Sequence, residues 1–402
     1  MVNKALINSQ NQRINTIFSE PFYERFLMLF FVLFPLTSSI NTLLPFSLNR
    51  FLMLFFVVIM FLREINGGCR SLKRWFLYGF LVLAFVYTSL KSLSNFTENA
   101  EDFIYFFVCC FAFVALTSKD LLESLFRIGQ RNKTIYVSIL IASLCLLFLS
   151  KLSPESYEKD GSFCGWMVSS HSVASTCILI FSVFIFLKVK NPLPYIYCSY
   201  FIFISNARTF LIPLAILLYF YLRIIVKKKM LRVFIVIISL VAAILIFPKT
   251  SMYEKFITTF NNQYAGDVFA GLSNGRTVFW AADLKSFIDD YSFAEKILGR
   301  GFSWIKDVNY SITGHRLWAH NDFINLLLSV GIFGLIVYFI VLIGFFRKIK
   351  NKKLLVFVLT FVFACALLNG FYLYFPLVAS VVFIIHYQYI FPSCFWSEQA
   401  AC

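Results

Sequence analysis

Charge is scarce in this 402-residue chain: Asp, Glu, Lys and Arg make up 14% of it, against about 25% in a soluble globular protein. Glycine is sparse too, with 16 residues against 52 Phe. Disordered and collagen-like chains are excluded, and so is a water-soluble fold, because the polar side chains are too few to cover a soluble surface. A cleavable secretory signal is not expected. Acidic Glu20 and Glu24 precede the first apolar run, no small-x-small site follows it, and another apolar run comes at once. The ten Cys form no disulfide framework or metal-ligand spacing, since six of them (Cys109, Cys110, Cys145, Cys177, Cys198 and Cys365) lie inside apolar runs. Asp-x-Asp, a Walker loop, Gly-x-Ser-x-Gly and His-Glu-x-x-His are all missing. Neither a metal nor a nucleotide cofactor is therefore expected.

What remains is apolar sequence, 60% of the chain. A membrane-crossing helix needs about 20 apolar residues. The breaks between runs predict an all-α polytopic membrane protein with about twelve spans, near 24–41, 43–62, 74–91, 103–118, 134–151, 170–187, 190–206, 209–226, 231–248, 321–346, 354–371 and 375–392. This divides the chain into an N-terminal bundle (1–248), one large outer loop (249–320) and C-terminal helices (321–402).

The net charge of +16 is lopsided. Of the 36 basic residues, 23 fall in the N-terminal tail and alternate loops, facing six acidic residues; the other side holds 13 basic and 14 acidic residues. By the positive-inside rule both termini are cytoplasmic and the large loop is outside. The charge is a topology signal. The basic residues lie in scattered short loops with no reader motif, so a nucleic-acid partner is not expected.

Mid-membrane charge is almost absent, and the two halves show no repeat. Both absences count against a transporter. The polar chemistry collects outside. Arg276–Ile288 has near-helical apolar spacing after Ser273-Asn274-Gly275, so a short amphipathic helix on the outer surface is predicted, with Arg276 in its first turn. Helix-start N–H groups and a guanidinium together suit a phosphate; a plain contact with lipid headgroups remains open. Arg208, in Ser205-Asn206-Ala207-Arg208, stands in an outer turn against the topological bias. It is either a functional cation or a snorkelling anchor. His320-Asn321-Asp322 begins the span that follows the loop. His320 there is a base held by a polar neighbour, or Asn321 or Asp322 caps the helix and the His is incidental. His171 and His386 have no such neighbours and read as interfacial or buried. Outward-facing cations with an imidazole suit a reaction on a lipid-linked diphosphate, a good leaving group once its charge is met.

Four short motifs occur in order: Ser205-Asn206-Ala207-Arg208; Asn274-Gly275-Arg276-Thr277 with Trp280; Leu298-Gly299-Arg300-Gly301-Phe302; and Ala319-His320-Asn321-Asp322-Phe323-Ile324 followed by Gly331-Ile332-Phe333-Gly334. Across roughly 200–340 they resemble the O-antigen polymerase and O-antigen ligase superfamily. The resemblance implies a metal-independent, GT-C-like membrane glycosyltransferase acting at the periplasmic face of the bacterial inner membrane. It would transfer a glycan from undecaprenyl diphosphate with inversion. A polymerase passes the growing chain to the non-reducing end of a new lipid-linked repeat unit; a ligase passes it to lipid A-core. Carried over by position, Arg208 and Arg276 bind the diphosphate and His320 is the base, with Arg300, His315, Arg316, Asn321 and Asp322 as further substrate contacts. The spacing of His315 and His320 departs from the paired-histidine pattern of ligases, which favours the polymerase. The expected partners are the lipid-linked oligosaccharide donor and acceptor, membrane lipids and a chain-length regulator protein. A lipid-linked sugar flippase is the alternative of another class; it would need no outer-loop His.

Overall fold

A computed structural model describes residues 20–45, 47–66, 72–258, 275–314 and 316–390. Helices account for nearly all of them, and among the described residues there is no strand, only an isolated bridge between Tyr157 and Phe163. The N-terminal part contains α1 (Glu20–Ser38), α2 (Leu48–Asn66), α3 (Leu72–Lys91), α4 (Phe96–Ala115), α5 (Lys119–Arg131), α6 (Lys133–Ser150), α7 (Ser170–Phe186), α8 (Leu193–Ile204), α9 (Leu211–Ile225) and α10 (Lys229–Ile246). The loop expected outside contains α11 (Ser251–Thr258), α12 (Arg276–Asp289), α13 (Phe293–Leu298) and α14 (Phe302–Thr313). Last come α15 (Asp322–Phe346), α16 (Lys352–Leu368), α17 (Phe375–Ile385) and α18 (Tyr387–Ile390).

The centre of the bundle is α17, buried along its whole length, packed against the almost wholly buried α7. A helix that is apolar all round has no face for water. The abundant Phe fills this centre. Phe375 of α17 sits 5.1–6.0 Å, ring to ring, from Phe30, Phe31, Phe34 and Phe56 of α1 and α2. Each such pair contributes about 0.5–1.5 kcal/mol beyond its buried area. Apolar side chains left on the outside, among them Phe51, Leu54 and Phe55 of α2 and Phe76 and Leu83 of α3, face lipid rather than water.

Among the described residues, three helices are long and apolar enough to cross a membrane unaided: Lys133–Ser150, Arg208–Ile225 and Asp322–Phe346. Arg74–Lys91 and Leu93–Ala115 add a fourth if the pair, bent by 100°, counts as one span. Other runs read as full spans are shorter. Ser170–Phe186 and Leu193–Ile204 have 17 and 12 residues. At 1.5 Å per residue these reach about 26 and 18 Å, less than a hydrocarbon core of about 30 Å. The described residues are thus all-helical, as expected of a membrane protein.

Helices α12, α13 and α14 pack onto α15, and α14 also packs on α4. Tyr291, Ile305, Ala319, Ile324 and Leu328 form a small core of their own, with Trp280, Phe287 and Trp304 against it. Helix α15 breaks at Gly331, which has φ 70 and ψ −173. The break frees carbonyls in the preceding turn. Leu328 O accepts from Arg300 N and Ser329 O from Gly301 N, both at 2.9 Å, and Tyr291 Oη also donates to Leu328 O at 3.0 Å. Two of the sequence motifs therefore meet, and the loop is clamped to a membrane helix.

Candidate active site

The site is built on the start of α15. Asn321 is its N-cap, the side chain accepting from Phe323 N at 3.0 Å and Ile324 N at 3.3 Å. The cap expected here is present. Trp280 Nε1 donates to Ala319 O at 2.6 Å, Ala319 N donates to Asn325 Oδ1 at 3.1 Å, and Asn309 Nδ2 donates to Leu317 O at 3.1 Å. These bonds fix the segment entering His320, which takes the left-handed conformation with φ 53. Such a residue costs about 1–3 kcal/mol and persists only where its surroundings over-determine it.

Asp322 is fully buried. Its carboxylate accepts from Phe371 N at 2.9 Å, Tyr372 N at 3.1 Å and Tyr338 Oη at 3.3 Å. Asp322 and Asn321 therefore have intramolecular partners and stand behind the site. What Asp322 positions is the turn after α16, where Gly370 adopts φ 111. That turn presents Asn369, whose Oδ1 accepts from Arg276 Nη2 at 3.3 Å. Asn369 is also within hydrogen-bonding reach of His320 and of Tyr374.

Helix α12 opens at Arg276 behind Gly275, which has φ 78. Ser273 and Asn274, the rest of the expected cap, lie outside the described residues. Arg276, Trp280, Asp283 and Phe287 recur at helical spacing. Trp280 and Phe287 lie against the small loop core and Asp283 is fully buried, while Val278, Leu284 and Ile288 are exposed. Burial lifts the Asp283 carboxyl to about 7. Arg208 begins the 3-10 turn Arg208–Phe210, which packs on α16 and α7.

The three residues singled out as grips and base come together. Burial first, and then the charge of Arg208, lowers the Arg276 guanidinium to about 10. Burial first, and then the charge of Arg276, lowers His320 to about 4. The imidazole is neutral at physiological pH, and its Nδ1 is buried with no hydrogen-bond partner. No acid is among the groups that shift either residue. Two like charges held in a desolvated place are complementary to a polyanion.

The second-tier cations lie elsewhere in the loop. Arg300 donates to Asp290 O and, at 3.1 Å, to Glu295 Oε2, and lies over the Tyr291 and Trp304 rings at 4.6 and 4.4 Å. Burial raises Glu295, but Arg300, Ser292 and Lys91 outweigh it and hold the carboxyl down to about 2. Arg316 pairs with Asp307 and, at 3.0 Å, with Glu98, 218 positions away. Arg300 and Arg316 are thus placed as loop fasteners: Glu295 and Asp307 pair with them inside the loop, and Glu98 ties Arg316 to α4. His315 lies outside the described residues. His171, read as interfacial or buried, stands beside the site, with its ring 6.0 Å from Phe210 and 6.4 Å from Tyr374. His386 is buried between Phe126 and Phe186. Asn369 and Tyr374 were not anticipated. The one available signal was an Asn-Gly pair interrupting an apolar run; the helix ends at Leu368 rather than at 371. Among the described residues no group of three His, Cys, Asp or Glu side chains is placed to hold a metal ion.

Residues 193–339 match the family model described as O-Antigen ligase. The match supports the resemblance to the O-antigen polymerase and ligase superfamily, a glycosyltransferase-like group. It contains Arg208, Arg276 and His320, and ends before Asn369 and Tyr374. No curated protein matches the chain.

Proposed function

We propose that this protein is an O-antigen polymerase of the inner membrane, working at the periplasmic face with both termini in the cytoplasm. It moves the growing glycan from undecaprenyl diphosphate to the non-reducing end of a new lipid-linked repeat unit. The observation that carries the reading is the convergence of Arg208, Arg276 and His320, the last two sharing Asn369.

The acceptor hydroxyl oxygen attacks the anomeric carbon from the face opposite the diphosphate, so the configuration inverts. The carbon–oxygen bond to the diphosphate breaks, and its electron pair leaves with the phosphate oxygen. Arg208 and Arg276 meet that developing charge in a desolvated setting, where such contacts are strongest. His320 takes the hydroxyl proton on its unpartnered Nδ1. A low imidazole pKa keeps the base deprotonated beside two cations; the bound diphosphate then raises it, improving proton uptake in the complex.

The matched family's description, O-Antigen ligase, favours a second reading, ligation to lipid A-core. A deletion strain separates the two. A polymerase mutant makes lipopolysaccharide with core plus one repeat unit; a ligase mutant makes bare core while lipid-linked polymer accumulates. Purified protein that lengthens lipid-linked oligosaccharide in detergent excludes a flippase.

A further inference from the structure

A cavity of about 410 Å³ lies among α1, α2, α4, α7 and α17, within the ~300–1,000 Å³ typical of small-ligand sites. Phe34, Ser38, Tyr105, Met167, Ser175 and Pro376 are among the residues that line it, with Lys306 and Trp318 from the loop. Most of this wall precedes residue 193 and so lies outside the family match.

Its chemistry differs from that of the arginine pair. Glu101 and Asp102 both line it. Arg50 neutralises and orients Glu101 at 2.6 Å, and Lys306 does the same for Asp102 at 2.8 Å. A carboxylate held this way keeps lone pairs for further donors. Asn49, Ser172 and Thr176 add small polar groups, while Trp318 and Tyr374 add flat faces. Carboxylates, amides and hydroxyls beside aromatic rings match a pyranose, with hydroxyls on its rim and an apolar C–H face. With each carboxylate paired to a cation, the lining has no excess positive charge to draw a diphosphate.

The cavity adjoins the reacting groups. Trp318 is two residues before His320, and Lys306 lies 5.5 Å over its ring. Tyr374 lines the cavity and is also within reach of Asn369 and in the field of Arg276. A glycan in the cavity would therefore lie against Trp318 and Tyr374, on the side of the segment that leads to His320, while the donor's diphosphate is held at the arginines. We propose that this cavity is the acceptor subsite, holding the non-reducing-terminal sugars of the acceptor glycan. The inference rests on the glycosyl-transfer reading.

The test uses full-length protein in nanodiscs, with Glu101→Gln as an isosteric change and Ser172→Leu as a space-filling one. The first probe is repeat-unit oligosaccharide released by partial acid hydrolysis of the source strain's polysaccharide, titrated into His320→Ala protein so that binding is read without turnover. Each added cavity change should weaken oligosaccharide binding at least about tenfold, the size of one lost hydrogen bond to a charged group. Binding of undecaprenyl diphosphate, the second probe, should change less than about twofold, since the cavity makes no contact with that group. In turnover assays with His320 intact, the acceptor KM should rise by about tenfold or more while kcat falls less than about threefold. Unchanged oligosaccharide binding in both variants overturns the subsite, as does a loss confined to undecaprenyl diphosphate. Cavity-dependent oligosaccharide binding without any glycan transfer by the parent protein would support the subsite and sink the transferase reading. Normal transfer with an unmoved acceptor KM would do the reverse.

Discussion

Gly299 and Gly331 interlock backbone to backbone: a Cβ added at Gly299 would overlap the Ser329 carbonyl, and one added at Gly331 would overlap the Ile297 carbonyl. Both glycines also have positive φ, 82 and 70. The outer loop is thereby locked to α15 a few turns beyond His320. Either residue changed to Ala should destabilise the fold by about 2–4 kcal/mol, combining overpacking with left-handed strain. Gly344→Ala is the control, because nothing lies within 4 Å of its added Cβ. Thermal melting in detergent should show a drop for the first two variants and none for the third.

His320→Ala should lower the glycan-transfer rate by about 10²–10⁴-fold, the usual size of a general-base loss. Arg208→Ala and Arg276→Ala should each cost about 10²–10³-fold. Arg276→Lys keeps the charge but loses the planar fork, so it should also be impaired. Single-turnover extension of lipid-linked oligosaccharide measures these effects, alongside membrane-insertion controls. Normal rates in all three Ala variants would remove the site.

The acid limb of kcat/KM should lie near pH 4 rather than near the ordinary imidazole value, since burial and the Arg276 charge lower His320. Arg276→Gln removes the repelling charge, so His320 should rise and the limb should move to higher pH. The stability consequence has a definite sign. A folded-state pKa below the unfolded one means that protons bind the unfolded chain preferentially, so the His320 contribution is lost as pH falls from about 6.5 toward 4. A pH profile of the Gln variant identical to that of the parent would show that the two residues are not coupled.

Asn369→Asp should harm transfer more than Asn369→Ala. The carboxylate would pair with Arg276, compete with the diphosphate and raise His320 toward its protonated form. The donor KM should therefore rise more for Asp than for Ala, and the acid limb should shift upward for Asp alone. Equal kinetic behaviour of the two variants would mean that Asn369 only fills space.

Asp322→Ala should act through folding. It leaves the buried N–H groups of Phe371 and Tyr372 without their acceptor, at about 1–3 kcal/mol for each unsatisfied group. Lower melting temperature together with weakened donor binding is expected, because the same turn carries Asn369. Asn321→Ala should cost only about 1 kcal/mol, as a lost helix cap, and should leave the pH profile in place.

The membrane class and the helical content were legible in the sequence. They follow from local physics, namely apolar run length and the sidedness of basic residues, whereas Arg208, Arg276 and His320 were singled out as grips and base only with the family resemblance. Which cations remain for the substrate was not legible. Arg300 and Arg316 were expected as further substrate contacts, yet Glu295 pairs with Arg300 inside the loop and Glu98 reaches Arg316 from 218 positions away, and Asn369 was hidden at the end of an apolar run 93 positions from Arg276. Composition and periodicity decide how a chain partitions between lipid and water, because each residue's transfer energy counts on its own. Pairing between distant side chains depends on where helices cross and where α15 breaks at Gly331, and only the packed tertiary structure determines that.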